Sequence, residues 1–220
     1  MVDTGAVIRR RRLPFTVAIV SLALALLGAA CSSTGYHYVK NSDDHTYFKV
    51  PEAWKLYGEE QVLESYSKDL SPRERAVERD TTWQVVFDAS PQPSLTHLGD
   101  PKAHHPNGIA IVRELSFDDT DTLSLVSLRN LFYDIDTAVQ NQMGEVIAYE
   151  PLEPDGGFHG FHLVAEVDAE KGGVVTLDQT TLVDQATSKV YTLLVTCDAK
   201  CYDDNVGQIE RVVKSWTVQE

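Results

Sequence analysis

Apolar and polar residues alternate along the last third of the chain and predict an antiparallel β-sheet. Three runs at regular spacing, FHGFHLVAEVD, GVVTLDQTTLVD and KVYTLLVTC, place apolar side chains at every second position between residues 158 and 197. The segments AEKGG and DQATS between them are rich in turn-forming residues. We therefore predict a meander of antiparallel strands with one face buried.

The first half of the chain predicts further strands and one well-marked helix. TYFKVP, WQVVFDA and GIAIVREL have the strand pattern, Pro51 ends the first of them, and Trp54 is expected to pack on the sheet. Ser71, Pro72 and Glu74 have the spacing of a capping box with proline at the first helical position. A short, charged helix is therefore predicted to begin at Ser71.

Two more helices follow from apolar residues at helical spacing. The segment SLVSLRNLFYDIDTAV predicts one continuous helix over residues 124–139. Its apolar stripe consists of Leu125, Leu128, Leu131, Phe132, Ile135 and Val139. A last helix, capped by Asp203 or Asp204, is predicted to bury Val206, Ile209, Val212 and Val213. The combination of elements predicts the α+β class, an antiparallel sheet flanked by helices.

The first 30 residues have the pattern of an export signal. Four arginines at positions 9–12 precede an uncharged, largely apolar stretch from Leu13 to Ala30. That stretch is also close to the lower length limit of a membrane span, about 18 residues, so a retained signal anchor is the alternative. We predict an export signal over residues 1–30, a flexible tether over 31–45 and a single domain over 46–220.

The end of this leader resembles the lipobox of bacterial lipoproteins, whose cysteine carries fatty acids such as palmitate. Ala29, Ala30 and Cys31 match that pattern, whereas Gly28 stands where the family prefers leucine. The resemblance implies lipidation of Cys31 and attachment to the outer face of the cell membrane. Gly28 and Ala30 also satisfy the small-x-small rule for ordinary secretion, which is the alternative.

The negative net charge of the chain argues against nucleic acid as a binding partner. The chain has 19 Lys and Arg against 33 Asp and Glu, a net charge of -14. Residues 1–30 hold four Arg and one Asp, so their removal leaves 15 basic and 32 acidic residues and a net charge of -17. Such a surface repels nucleic acid phosphates, so we expect no nucleic acid partner.

The three cysteines fit an exported protein. If Cys31 is lipidated, Cys197 and Cys201 remain as a pair, and an oxidising compartment favours a disulfide between them. The chain must then turn between the two, because an extended segment of that length would hold them too far apart. A redox pair or a metal site are the competing interpretations.

The histidines are weak candidates for metal ligands. His97, His104 and His105 lie in a long segment, residues 91–107, that is rich in Pro, Gly and His. Adjacent histidines seldom converge on one ion, and the spacing matches no zinc pattern. His159 and His162 are predicted to point to opposite faces of a strand. Gln179 shares its face with apolar residues, so we expect it to make a structural hydrogen bond.

No sequence motif points to catalysis or to a cofactor, so we predict neither. The chain contains no G-x-S-x-G, no H-E-x-x-H and no glycine-rich phosphate loop.

Three segments together resemble a known family. VPEAW at 50–54, GGFHGFHL at 156–163 and the stretch from DQTTLVD to VYTLLVTC at 178–197 are similar to the PsbP-like α/β/α sandwich, and more narrowly to LpqN-type lipoproteins of mycobacteria and related actinobacteria. The similarity extends over residues 45–217 and rests on strand and turn landmarks. It implies a non-enzymatic envelope lipoprotein that binds another envelope component, and it transfers no functional residue.

The functional hypothesis is therefore a binding or accessory module of the cell envelope. Its binding surface would be the loop at 91–107 together with an exposed edge of the sheet, and its partner an envelope protein or lipid. The alternatives are an envelope metal-binding protein or hydrolase that uses the loop histidines, and a structural subunit of a larger envelope complex.

Overall fold

The computed structural model describes residues 35–169 and 172–219. The leader at 1–30 and Cys31 lie outside the described residues. Ten strands form two sheets in which every neighbouring pair is antiparallel. None of the helices in the described part of the chain is both long and apolar enough to cross a membrane.

A seven-stranded sheet forms the centre of the fold. In chain order its strands are β3 (Lys55–Tyr57), β4 (Thr82–Asp88), β5 (Asn107–Glu114), β6 (Gly144–Leu152), β7 (His159–Asp168), β8 (Val174–Val183) and β9 (Lys189–Asp198). Their spatial order is β3-β4-β5-β9-β8-β7-β6. The three predicted meander strands are confirmed as β7, β8 and β9.

A second sheet has three strands and joins the two ends of the domain. It consists of β1 (Tyr36–Asn41), β2 (Thr46–Pro51) and β10 (Thr217–Val218), with β2 in the middle. Within the described residues, six α-helices complete the fold: α1 (Glu59–Tyr66), α2 (Pro72–Thr81), α3 (Phe117–Thr122), α4 (Leu125–Arg129), α5 (Ile135–Gln140) and α6 (Ala199–Val213). The α+β class is confirmed.

The tether predicted over residues 31–45 is wrong for residues 36–45. β1 pairs with β2 along its whole length, from Tyr36 opposite Pro51 to Asn41 opposite Thr46. The polar, aperiodic sequence hid this strand because β1 is an edge strand with only two buried side chains, Val39 and Asn41.

Both faces of the large sheet are buried, which corrects the prediction of one buried face. On one face, here called the helix face, Phe161, Leu163 and Leu177 pack with α1, α4 and α5. On the other, called the α6 face, Phe87 and Leu193 pack with α6 and the small sheet. Helices and the small sheet therefore enclose the central sheet as a sandwich.

Aromatic contacts join the small sheet to the α6 face. The ring of Phe87 lies 6.2 Å from that of Phe48 and 5.9 Å from that of Trp54. All three side chains are buried, so the expected packing of Trp54 on the sheet is confirmed. Such pairs each add about 1 kcal/mol beyond the burial of apolar area.

The continuous helix predicted over residues 124–139 is wrong, because the segment forms two short helices, α4 and α5. Ser124 caps α4 and Asp134 caps α5. Between them the Asn130 side chain accepts a hydrogen bond from the Asp136 amide (3.1 Å) and donates one to its carboxylate (3.0 Å). Short polar side chains thus replace the backbone bonds of a continuous helix.

The helix starts are predicted with mixed success. At α2 the capping box is confirmed, since the Ser71 hydroxyl accepts from the Glu74 amide and the Ser71 amide donates to the Glu74 carboxylate. The last helix, α6, is capped by Asp198 rather than by Asp203 or Asp204. It buries Ile209 and Val212 as predicted, whereas Val206 is exposed.

Candidate functional site

The long loop at 91–107 is attached to the sheet through a buried carboxylate. Asp88, at the end of β4, accepts hydrogen bonds from the amides of Ser90 and Ser94, each 2.8 Å long. Its Oδ2 also lies 2.7 Å from Nδ1 of His97. His97 therefore holds the loop in place.

The other two loop histidines lie in different surroundings. His104 contacts the carboxylate of Asp198 at the start of α6, whereas the side chain of His105 is exposed. Burial opposes ionisation of Asp198, but hydrogen bonds from the Cys201 amide and from His104 bring the net pKa of this carboxyl below its usual value. Within residues 35–169 and 172–219 no three His, Cys, Asp or Glu side chains come together as a metal site would require.

Cys197 and Cys201 form a disulfide at the junction of β9 and α6. Their Cα atoms are 5.9 Å apart, because the helix that begins at Ala199 turns the chain between them. This spacing is within the range that a disulfide needs. Both residues are buried, which fits a structural role better than exchange with solution thiols.

The helix face holds an amphipathic cavity of about 460 Å³, here called the sheet–helix cavity. Its floor is formed by β4, β5 and β9, and its walls come mainly from α1 to α4 and the segment after α4. The apolar lining residues are Ile111, Leu115, Leu123, Leu128, Leu131, Phe132 and Val190. Ligand sites are typically apolar hollows of this size with a few convergent polar groups.

Polar groups lie on the floor and at the mouth of this cavity. The buried Gln84 amide donates to the Tyr66 hydroxyl (2.7 Å), which in turn donates to Glu78 (3.0 Å). The hydroxyl of Thr82 is buried and has no hydrogen-bond partner among the described residues. Burying a hydroxyl without a partner costs free energy, so Thr82 is a locally unfavourable position in the floor of the cavity.

Gln179 lies deeper on the same face and has a structural role. Its amide donates to the Leu128 carbonyl and to the Thr181 hydroxyl, each at 2.9 Å. These bonds fix α4, which forms one wall of the cavity, to the sheet. The structural hydrogen bond predicted for Gln179 is confirmed.

The α6 face carries a second, larger hollow of about 830 Å³ between β6 and α6, here called the β6–α6 groove. A cluster of three titratable side chains lies within it. Nε2 of His162 is 2.8 Å from Oδ1 of Asp178, and the Tyr202 hydroxyl donates to Oδ2 at 2.7 Å. The Asp178 side chain is only 3% exposed, so these two donors compensate for its loss of hydration.

The cluster raises the pKa values of its two hydrogen-bond donors, His162 and Tyr202. The hydrogen bond to Asp178 raises the pKa of His162 above its usual value, partial burial opposes this, and the nearby charge of Glu150 adds to the increase. Burial, followed by the charge of Asp178, raises the pKa of Tyr202 far above that of a free phenol. The cluster therefore favours a cationic imidazole and a neutral phenol around this carboxyl group.

This arrangement favours a positioning role over nucleophilic catalysis. Within the described residues His162 hydrogen-bonds to Asp178 alone, so no serine or cysteine is activated by it. Because its pKa is raised, a larger fraction of the imidazole is already protonated near neutral pH, and the protonated form cannot accept a proton from a substrate. The ring nitrogen Nδ1 of His162 remains as a polar group of the groove.

Sequence reasoning missed this cluster. His162 is predicted only to point to the opposite face of its strand from His159, and no role is predicted for Asp178 or Tyr202. The available signal was the strand period, because Thr176, Asp178 and Thr180 alternate with the apolar set of β8 and all three are buried. The assumption of one buried face placed them in solvent.

Comparison with known proteins gives similar backbones at low sequence identity. No protein-family model matches the chain, and no curated protein sequence matches it. The solution structure of the cyanobacterial PsbP protein CyanoP from Synechocystis sp. PCC 6803 is 16% identical, with a TM-score of 0.48, over 87% of this chain and 96% of that one.

Two further structures extend the comparison. LpqN of Mycobacterium tuberculosis, described as involved in cell envelope biogenesis, is 16% identical with a TM-score of 0.43, over 84% of this chain and 91% of its own. The Ran-binding protein Mog1p of Saccharomyces cerevisiae is 12% identical with a TM-score of 0.42, over 84% and 96%. The similarity concerns a mixed fold of antiparallel sheet and flanking helices, and it assigns the chain to no family.

Proposed function

We propose that this chain is a non-enzymatic binding or accessory module of the cell envelope, and that its ligand occupies the sheet–helix cavity. The observation that supports this most is the composition of the cavity. Apolar side chains, mainly from α4, the segment after it and the strands β5 and β9, enclose a hollow that also has polar side chains such as Tyr66 and Ser127 in its lining. Such a hollow suits binding without requiring any reactive group.

The lining defines the chemistry of the ligand. An apolar body would pack against Leu128, Leu131 and Phe132, and a neutral polar group such as a hydroxyl or amide would meet Tyr66 and Ser127 in the lining. The charged residues Arg113, Glu78 and Asp119 line the cavity as well and have opposite signs, so they give no preference for an ionic ligand. The proposed ligand is a compact, amphipathic, uncharged molecule.

The proposal that the sheet–helix cavity binds the ligand is tested by introducing a charge at one of its lining residues. Leu131 lines the cavity and is 50% exposed, so Leu131→Asp should leave the fold intact. Binding of the fluorescent probe N-phenyl-1-naphthylamine, measured by titration, is expected to weaken by about tenfold, because a buried probe would then face a carboxylate.

A matched control is available on α4. Val126 is 52% exposed and does not line the cavity, so Val126→Asp adds the same charge without blocking the site. Equal probe affinity in both variants would show that the probe binds elsewhere and would remove the main support for the proposal.

The envelope location rests on the leader and on Cys31, and it is tested separately. In a bacterial host that carries out lipoprotein processing, a clickable palmitate analogue is expected to label the full-length chain. Cys31→Ser should abolish the label, and Gly28→Leu, which completes the lipobox pattern, should increase it. Labelling that persists in Cys31→Ser would contradict lipidation at this residue, and release of the unlabelled wild-type protein into the medium would indicate ordinary secretion.

A further inference from the structure

β6 is an open edge of the central sheet, and its residues face solvent. It is the terminal strand in the order of the seven-stranded sheet and pairs with β7 on one side. Seven of its nine residues are exposed, among them Ile147 at 54% and Tyr149 at 43%. An edge of this length offers a row of backbone donors and acceptors to an additional strand.

The edge lies in a strongly acidic part of the chain. No lysine or arginine occurs between Arg129 and Lys171, whereas the residues between them include nine Asp and Glu. Glu145 and Glu150 lie on β6 itself, and Glu153 follows it directly. Any segment that pairs with this edge therefore meets a concentrated negative charge.

The β6–α6 groove borders the same strand on the α6 face. Glu150, Leu152 and Glu153 form its β6 side, and His162 and Trp216 lie across from them. Side chains at alternate positions of an added strand would point into this groove. The groove thus supplies apolar contacts and carboxylates beside the open backbone.

We propose that the β6 edge and the adjoining groove bind an extended, lysine- or arginine-rich segment of a partner protein as an additional strand. Charge complementarity identifies the occupant, because the cationic side chains of such a segment would neutralise Glu145 and Glu150 while its backbone pairs with β6. A second copy of the chain fits less well. It would bring the same carboxylates to the edge, so that like charges would face one another across the new strand pair.

The proposal is tested with a defined peptide rather than with a cell extract. The probe is an acetylated and amidated heptapeptide in which Lys alternates with Val and Thr, labelled for fluorescence anisotropy with the folded protein. Binding is expected to weaken with added salt and to protect β6 amides from hydrogen exchange. The same peptide with alternate backbone amides methylated cannot pair as a strand and should lose about tenfold in affinity.

Two matched protein variants distinguish the effect of charge at the β6 edge on peptide binding from the effect of the net charge of the protein. Glu145→Gln/Glu150→Gln removes two carboxylates from the edge and should weaken peptide binding by about tenfold. Glu60→Gln/Glu64→Gln removes the same charge from exposed positions of α1 and should leave it unchanged.

Several outcomes would overturn the proposal. If the methylated and the unmethylated peptides bind with equal affinity, charge alone attracts the peptide and no strand is added. If the two double variants lose equal affinity for the peptide, the β6 edge is not its binding site. A dimer that sediments at neutral pH and is abolished by Ile147→Asp would identify a second copy as the occupant instead.

Discussion

At the scale of single residues, the buried carboxylate of Asp178 depends on its two hydrogen-bond donors. A carboxylate that is withdrawn from water is stable only when charged or hydrogen-bonding groups replace its hydration. His162 and Tyr202 supply one donor to each oxygen. Because the two donors come from β7 and α6, the carboxylate on β8 connects three elements of the α6 face.

We expect Asp178→Asn to lower the free energy of unfolding by about 2–3 kcal/mol, since hydrogen bonds to a charged group are lost and the imidazolium is left without its counter-ion. Urea denaturation measures the change. Asp203→Asn is the control, because Asp203 is an exposed carboxylate on α6. If both variants unfold at the same urea concentration, the cluster contributes nothing to stability.

The raised pKa of His162 implies a defined pH dependence. Its hydrogen bond to Asp178 is the main cause, partial burial and Lys214 act in the opposite direction, and Glu150 adds to the increase. A group whose folded pKa is raised contributes stability that is complete below its unfolded pKa, about 6.5, and is lost as the pH rises through the folded value.

The difference in unfolding free energy between wild type and His162→Gln should therefore be larger at about pH 6 than at about pH 9. Urea denaturation of both proteins at the two pH values measures it. A difference that grows with pH would contradict the assigned shift.

At the scale of elements, α2 is stabilised mainly by local interactions within its own segment. None of its ten residues is buried, so packing contributes little and the capping box contributes a large share of its stability. It nevertheless matters for the sheet–helix cavity, because Glu78 on α2 accepts the hydrogen bond of Tyr66.

Ser71→Ala should therefore loosen α2 without unfolding the domain. Loss of an N-cap costs about 1 kcal/mol, which corresponds to about fivefold faster amide hydrogen exchange if α2 opens locally. Exchange measured by mass spectrometry over residues 75–81 tests this, with Ser42→Ala in the exposed turn after β1 as the control. Faster exchange over the whole domain would show that α2 opens only by global unfolding.

Elements with strong local signals could be predicted, and those decided by tertiary contacts could not. The meander and the α2 cap are encoded in strand alternation and in the spacing of Ser71 and Glu74. β1 and the break between α4 and α5 were missed, because pairing with β2 and the side-chain bonds of Asn130 override the local pattern.

The candidate site was harder to predict for the same reason. The loop histidines are conspicuous in sequence, yet the carboxylate partner of His104, Asp198, is 94 residues away. The lining of the sheet–helix cavity comes from seven elements, α1 to α4 with β4, β5 and β9. Only the register of β7, β8 and α6 brings His162, Asp178 and Tyr202 together.

At the scale of the whole molecule, negative charge keeps copies apart. The formal net charge is -14 at pH 7 and the sequence pI is near 4.8. The acidic β6 edge is therefore protected from pairing with another copy at neutral pH.

Lowering the pH toward the pI should remove that protection. We expect dynamic light scattering to show self-association as the pH falls from neutral to about 5, because carboxylates are then partly neutralised. Ile147→Asp should suppress it, since a carboxylate with an ordinary pKa of about 3.9 stays largely ionised at this pH and adds negative charge to the middle of the exposed edge. If the substitution leaves self-association unchanged, the copies associate through a surface other than the β6 edge.

The position of β9 in the sheet determines when the domain can be completed during synthesis. β9 lies between β5 and β8 in space, yet it begins at Lys189 of a chain of 220 residues. Until the ribosome has released that segment, β3 to β5 and β6 to β8 are two half-sheets with no strand between them. Closure of the central sheet is therefore a late, non-local step of folding, and the chain carries two unpaired sheet edges until β9, the last strand of this sheet in chain order, has been made.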